Sequence, residues 1–117
     1  MIQTDRKSIL KRISITLKKL GISPSKEGYF YLKDCIYICI SENIRFPRDL
    51  YPKIAKKYNK KTSAIEKAIR TAIEIGWTNC DYSFSEELFA NTINYEKGKP
   101  TNYEFIATIT EDINLDL

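Results

Sequence analysis

The sequence predicts an all-α domain of about six helices across residues 1–117, with a central helix-turn-helix and no wing. Apolar residues recur at intervals of three and four along most of the chain, which is the spacing of one face of a helix. Helix-breaking residues are few, and they separate segments of helical length. The 117 residues are enough for one hydrophobic core and too few for two.

The first segment, residues 6–19, is predicted to be a helix with one buried face. Its apolar stripe is formed by Ile9, Ile13, Leu17 and, just beyond it, Leu20. The lysines and arginines of the segment lie largely off this stripe. We therefore expect an amphipathic helix with a basic outer surface.

The second segment, residues 26–42, contains the run CIYICI, which also fits a strand because it is rich in β-branched and aromatic residues. Its length suits a helix better, and one helical face is formed by Tyr29, Leu32, Ile36, Cys39 and Ile40. A helix that is apolar on most sides is expected to be the central one.

Residues 49–78 fit the helix-turn-helix pattern. Asp49 is a suitable N-cap for a first helix, in which Ile54 is the inward apolar residue and Ala55 the small residue at the helix crossing. Asn59 suits the turn because asparagine tolerates a positive φ. Inward residues of the second helix, 63–78, include Ile65, Ala68 or Ile69, and Ile73. The same pattern also fits a plain helical hairpin.

Three stretches have the pattern of a capping box, in which Ser or Thr is followed three residues later by Glu. They are Ser63-Ala64-Ile65-Glu66, Ser83-Phe84-Ser85-Glu86 and Thr101-Asn102-Tyr103-Glu104. The second is expected to open a short helix and the third a last helix. The inward residues of those two helices are Leu88, Phe89, Phe105, Ile106, Ile109 and Ile113.

Charge is distributed unevenly along the chain, whose net charge is +4. Residues 1–80 have a net charge of +10, whereas residues 81–117 have a net charge of −6. Residues 53–70 contain seven basic residues and a single acid, Glu66. This local excess indicates a polyanionic partner, although a basic run on a helix is also typical of a solvated face.

Several other classes of protein are disfavoured. The chain has no histidine, and its three cysteines lack CxxC spacing, so we expect neither a metal nor a disulfide framework. We also expect no cofactor and no enzymatic activity, because no pair of carboxylates or Gly-rich phosphate loop is evident. No apolar run approaches a bilayer-spanning length or resembles a signal peptide, so the expected location is cytoplasmic.

If the motif binds DNA, the first turns of its second helix lie against base edges. The outward side chains there are Glu66, Lys67 and Arg70, which are the predicted base contacts. Arginine binds guanine with two hydrogen bonds, and glutamate accepts from cytosine. Ser63 and nearby backbone N–H groups would hold a phosphate. The alternatives are that Glu66 only caps its own helix and that Lys67 and Arg70 are solvated.

Four blocks of the sequence together resemble a known family. They are GYFYLKDCI (28–36), LYPKIAKKYN (50–59), IEKAIRTAIEIGW (65–77) and GKPTNYEFIA (98–107). In this order and spacing they are similar to the C-terminal effector domain of the stage-zero sporulation transcription factor of spore-forming Firmicutes, a response regulator. The resemblance runs from about residue 17 to residue 115.

The resemblance implies a six-helix domain that binds a duplex element of the form TGTCGAA and regulates transcription through RNA polymerase sigma factor. It places base contacts at Glu66, Lys67 and Arg70 and backbone contacts around Ser63 and Lys99, which Lys60 and Lys61 would supplement. Residues 78–90 correspond to the polymerase-activating surface. The last helix corresponds to the surface through which tandem domains pair on DNA.

The sequence also departs from the family. Arginine is usual in the family where this chain has Ala64 and Lys67, and histidine where it has Thr71. Lysine keeps the charge but loses the planar fork of arginine, so altered sequence preference is expected. The alternative function is an interaction protein that keeps the fold with weakened base readout, and that modulates a full-length regulator or the polymerase.

The start of the chain is a further departure, because the segment IQTDRKSILKR matches no block of the family. Because the effector region begins almost at once, we expect no receiver domain before it. We therefore expect either a stand-alone effector domain or an excised one.

Overall fold

A computed structural model describes residues 5–44, 47–89 and 98–117, without the side chain of Arg48. Within these ranges the fold is all-α, with a 3-10 turn at Pro47–Asp49. The six helices are α1 Arg6–Lys19, α2 Glu27–Ser41, α3 Leu50–Tyr58, α4 Thr62–Asn79, α5 Tyr82–Leu88 and α6 Asn102–Leu115. The predicted fold class is confirmed, and the CIYICI run is helical. No helix of the described ranges is long and apolar enough to cross a membrane.

Helix α2 is at the centre of the fold, as its composition predicted. It packs against α1, α3, α4 and α6. Tyr29, Leu32, Ile36 and Cys39 are buried, and Ile40 is half-buried. A segment with apolar residues on most sides is stable only where neighbours surround it, because about 25 cal/mol is gained per Å² of apolar surface removed from water.

Glycines allow two close approaches to α4. Gly28 lies against Ala68 and Ala72, and a Cβ at position 28 would overlap the Ala68 carbonyl oxygen. Gly21 and Gly76 meet in the same manner at the far end of α4. These contacts hold the middle and the C-terminal end of α4 against the core.

The predicted inward residues of α1 and α6 are all buried. Phe89, which follows α5, stacks on Phe105 with ring centroids 5.6 Å apart and meets the edge of Trp77 at 5.1 Å. This aromatic cluster joins α4, α5 and α6. The aromatic pairs add about 0.5–1.5 kcal/mol each beyond the area that they bury.

The capping predictions have mixed outcomes. The Thr101–Glu104 box is confirmed: the Thr101 hydroxyl accepts from the Glu104 N–H at 3.1 Å, and the Glu104 carboxylate accepts from the Thr101 N–H at 2.7 Å. The Ser83 box is wrong. Asp81 is the N-cap of α5 and accepts from the Ser83 N–H at 2.9 Å, which places Ser83 inside the first turn.

Asp49 lies at the predicted N-cap position of α3, but its side chain forms no capping hydrogen bond with the described residues. Its backbone already has helical angles, φ −78° and ψ −2°, because the 3-10 turn runs directly into α3. A side-chain cap requires an extended backbone at this position. The chain therefore enters α3 through the 3-10 turn.

Candidate nucleic-acid interface

Helices α3 and α4 are consecutive, pack against each other and are joined by a tight turn. Asn59 ends α3 in the left-handed region, at φ 55° and ψ 50°. The prediction of a positive φ at this residue is confirmed. Asparagine adopts this conformation more readily than most residues, and it lets the chain change direction within the three residues between α3 and α4.

A polar contact to α2 fixes the orientation of α3. The Asp34 carboxylate accepts from the Tyr58 hydroxyl at 2.5 Å and from the Lys57 ammonium at 2.8 Å. Burial, followed by the hydrogen bond to Asp34, raises the pKa of Tyr58, so this hydroxyl remains a donor at neutral pH. Helix α3 is thereby held against α2.

The predicted Ser63–Glu66 capping box is wrong. Helix α4 begins at Thr62 with Lys61 as its N-cap, so Ser63 has helical angles and lies inside the first turn. The alternative that Glu66 only caps its own helix is therefore also wrong, because no described side chain forms a cap hydrogen bond at this end of α4. The first amide groups of α4 therefore point outward with the positive end of the helix dipole.

One strip of α4 carries the predicted contact residues. Ser63, Glu66 and Lys67 are exposed, and Arg70 is half-buried at the end of the strip. The spacings of three and four residues place them on one face. The opposite face, which includes Ile65, Ile69 and Ile73, is fully buried in the core.

These four side chains line a single open groove of about 540 Å³. The other wall of the groove is the start of α6, with Thr101, Asn102 and Tyr103. The structure thus brings together Ser63 and all three predicted base contacts. Lys60 and Lys61 are exposed in the turn before α4, and Lys99 is exposed two residues before Thr101.

Arg70 has a second role that the sequence pattern did not indicate. Its guanidinium donates to the carbonyl oxygen of Pro100 at 2.8 Å and to the Glu74 carboxylate at 3.3 Å. The side chain is one-third exposed. Arg70 therefore joins α4 to the segment that leads into α6.

Asn102 and Tyr103 are the site residues that sequence reasoning missed. Asn102 is buried and donates from its amide to the Glu66 carbonyl oxygen at 3.1 Å. Tyr103 stacks on Tyr51 of α3 with ring centroids 5.5 Å apart. The capping box at Thr101 placed the start of α6 correctly, but nothing in its spacing indicated that this end lies beside α4.

The lysines around the turn differ in their pairing. Lys57 pairs with Asp34, and Lys53 pairs with Glu42 at 3.7 Å. The other lysines near this turn have no ion pair among the described residues. They are Lys56, Lys60, Lys61 and Lys67. The positive charge near the start of α4 is therefore largely uncompensated, as the charge pattern predicted.

The chain matches the family described as Sporulation initiation factor Spo0A C terminal over residues 13–113. It belongs to this family. Membership of the Spo0A C-terminal family makes the chain a DNA-binding effector domain of the sporulation-regulator class. This family consists of DNA-binding transcription-factor domains and is not known as an enzyme family.

The three α4 positions at which a departure from the resembled family was expected lie on the outside of the helix. Ala64, Lys67 and Thr71 are exposed and recur at three and four residues. They form a strip that shares Lys67 with the one that contains Glu66 and Arg70. Substitutions there change what α4 presents to a partner without affecting the core.

Proposed function

We propose that the chain regulates transcription by binding duplex DNA sequence-specifically, with the N-terminal half of α4 in the major groove. One observation carries the proposal. Ser63, Glu66, Lys67 and Arg70 line one groove beside lysines that have no ion pair among the described residues. A protein that reads DNA needs both features, because charge supplies affinity and side chains at base edges supply specificity.

The base contacts are assigned to three side chains. Arg70 gives a two-hydrogen-bond contact to guanine, Lys67 a single-point contact to guanine, and Glu66 accepts from the cytosine amino group. Arg70 now donates to the Pro100 carbonyl. To contact guanine, Arg70 therefore gives up the hydrogen bond to Pro100. The net gain in binding free energy depends on Arg70 forming two hydrogen bonds to guanine.

The phosphate contacts are assigned to both ends of the groove. Lys60, Lys61 and Ser63 lie at the start of α4, where the uncapped amide groups also attract an anion. Lys99 is exposed two residues before Thr101, which lines the other wall. A duplex that follows the groove would meet positive charge on both sides.

An interaction protein with weakened base readout is the second candidate. It is favoured by the exposed strip Ala64, Lys67 and Thr71, where arginine and histidine are usual in the family that the chain resembles. Loss of a good base contact removes about 1–3 kcal/mol of discrimination. Such a protein would retain only salt-sensitive, sequence-independent binding.

Fluorescence anisotropy separates the two candidates. The full chain is titrated onto two labelled duplexes, one with TGTCGAA and one scrambled, across a salt series. Preference for the first duplex at moderate salt supports a sequence-specific regulator. Equal affinities that fall together with salt would reject specific readout and favour the interaction protein.

Substitutions of lysines test the phosphate contacts. The double variant Lys60→Ala with Lys61→Ala is expected to reduce the slope of log K against log salt by about two, because each phosphate contact contributes about 0.9. Lys26→Ala is the matched control, since Lys26 is an exposed lysine at the start of α2. A slope that is unchanged in the double variant would remove Lys60 and Lys61 from the interface.

Two protein contacts belong to the same proposal. Helix α5 would contact RNA polymerase sigma factor. Its Tyr82 is 65% exposed, and Glu86 and Glu87 are also exposed. The exposed side of α6 would pair with a second domain on adjacent DNA elements, as a homodimer or in tandem. Both contacts require a cytoplasmic location, where the DNA and the polymerase are.

A further inference from the structure

The outer side of α1 forms a groove that the proposed DNA interface does not use. The groove has a volume of about 620 Å³ and lies between α1 and Lys33 of α2. Its apolar floor consists of Leu10, which is half-buried, and Ile15, which is 43% exposed. The lining of the groove is therefore partly apolar.

Five cations surround this floor, and among the described residues no acidic side chain lines it. They are Arg6, Lys7, Lys11, Lys18 and Lys33. None of them forms an ion pair within the described ranges, whereas Arg12 on the same helix pairs with Asp116. Arg6 and Lys33 instead lie over aromatic rings, at 5.4 Å and 5.7 Å from the centroids.

The position of the groove separates it from the DNA interface. Half of its lining residues precede residue 13, where the family match begins. The C-terminal end of α1 leads to Gly21, which touches α4 at Gly76. Gly76 is 14 residues from Thr62, or about 20 Å along α4 from the predicted DNA-contacting end.

We propose that this groove binds an acidic amphipathic helix of a partner protein. A ligand must satisfy both the five cations and the apolar floor, and such a helix presents carboxylates beside an apolar stripe. A DNA backbone offers phosphates but nothing apolar for Ile15. A helix that lies on a membrane buries a broad face of large apolar side chains, whereas this floor has two, of which only Ile15 is exposed.

The length of the groove suits this partner. From Arg6 to Lys18 is 12 residues of helix, or about 18 Å. That length corresponds to about three turns of a bound helix, enough for three successive apolar anchors at spacings of three and four residues. Carboxylates on either side of the anchors would meet Lys7, Lys11 and Lys18.

The test uses a labelled peptide with leucines on one helical face and glutamates on the other. A second peptide has the same composition in scrambled order, so its leucines share no face. The full chain is expected to prefer the amphipathic peptide. Ile15→Ser and Lys11→Glu are each expected to weaken that binding about tenfold, because each removes one of the two contacts.

The control variant is Lys26→Glu, which reverses the charge of an exposed lysine outside the groove and should bind the peptide like the parent. Circular dichroism checks that each variant is folded. All variants should bind duplex DNA like the parent. Failure to bind the amphipathic peptide, or equal affinity for both peptides, would overturn the proposal.

Two other results would also overturn it by reassigning the groove. Loss of duplex affinity in Lys11→Glu would make the groove a phosphate contact. Tight binding to vesicles of anionic lipid that is lost in both Ile15→Ser and Lys11→Glu would make it a membrane contact.

Discussion

Replacement of Arg70 with alanine should weaken recognition of the TGTCGAA duplex while the domain stays folded. We expect the Arg70 side chain both to stabilise the fold and to contact a base. It donates to the Pro100 carbonyl at 2.8 Å and to Glu74 at 3.3 Å, and it is one-third exposed. The two effects are separable because their magnitudes can be worked out independently.

The loss of stability is expected to be modest. A hydrogen bond from a charged donor contributes about 1.5–3 kcal/mol when buried, and partial exposure of Arg70 lowers that value. The exposed i,i+4 pair with Glu74 adds about 0.3–0.5 kcal/mol. The sum is about 1–2 kcal/mol. A domain with an unfolding free energy of about 5 kcal/mol would retain about 3 kcal/mol and remain about 99% folded.

The loss of recognition is expected to be larger. A two-hydrogen-bond contact to guanine provides about 1–3 kcal/mol of discrimination. This free energy corresponds to about a 5- to 150-fold fall in the ratio of affinities for the cognate and scrambled duplexes, since about 1.4 kcal/mol is tenfold. Unfolding cannot produce that fall, because the folded fraction hardly changes.

Urea unfolding measures the stability, and anisotropy at fixed salt measures the affinity ratio. Arg70→Lys should keep most nonspecific affinity but lose discrimination, because lysine lacks the planar fork. Glu74→Gln is the control, since it removes the partner charge and leaves Arg70 in place. An Arg70→Ala chain that loses stability but keeps its affinity ratio would refute the base contact and leave Arg70 only as a link between α4 and α6.

Other predictions concern the turn, the helix crossing and the thiols. Asn59→Gly should leave the urea midpoint nearly unchanged, whereas Asn59→Val should lose about 1–2 kcal/mol because φ is 55°; equal midpoints would show that the turn tolerates any residue. Gly28→Ala should lower the unfolding free energy by about 1–3 kcal/mol, because its Cβ overlaps the Ala68 carbonyl oxygen; an unchanged thermal midpoint would contradict that close approach. Burial raises the pKa of Cys35 to about 12, so half-buried Cys80 should react first with a thiol reagent at neutral pH. Comparable rates at the two thiols would refute the burial of Cys35. Because the folded-state pKa of Cys35 exceeds the unfolded value, its contribution to stability is present below about pH 9 and falls as the pH rises towards 12. In alkaline urea titrations Cys35→Ala should therefore show a shallower loss of stability than the parent.

The helices themselves were largely predictable. In α1 the stripe Ile9, Ile13 and Leu17 identified both the segment and its buried face, because helical periodicity relates residues only three or four apart. Helix starts were harder. The N-cap of α4 is Lys61 and that of α5 is Asp81, each two residues before the predicted serine. A cap depends on the backbone angles of one residue, and several nearby side chains suit the position.

The candidate interface was predictable only where it lies within one helix. Glu66, Lys67 and Arg70 share a face because the helix imposes it, whatever else the chain does. The other wall was not predictable. Asn102 reaches the Glu66 carbonyl across 36 positions of sequence, and no periodic signal spans that distance.

The sequence by itself determined which segments are helical, which of their faces are apolar and where positive charge accumulates. Those properties follow from neighbouring residues and from a fixed number of residues per turn. Only the tertiary structure decided that the start of α6 forms a wall beside α4, that Arg70 donates to Pro100, and that α1 and Lys33 line a groove with cations. These features depend on how the described helices fill one core together, because close packing fixes their relative positions.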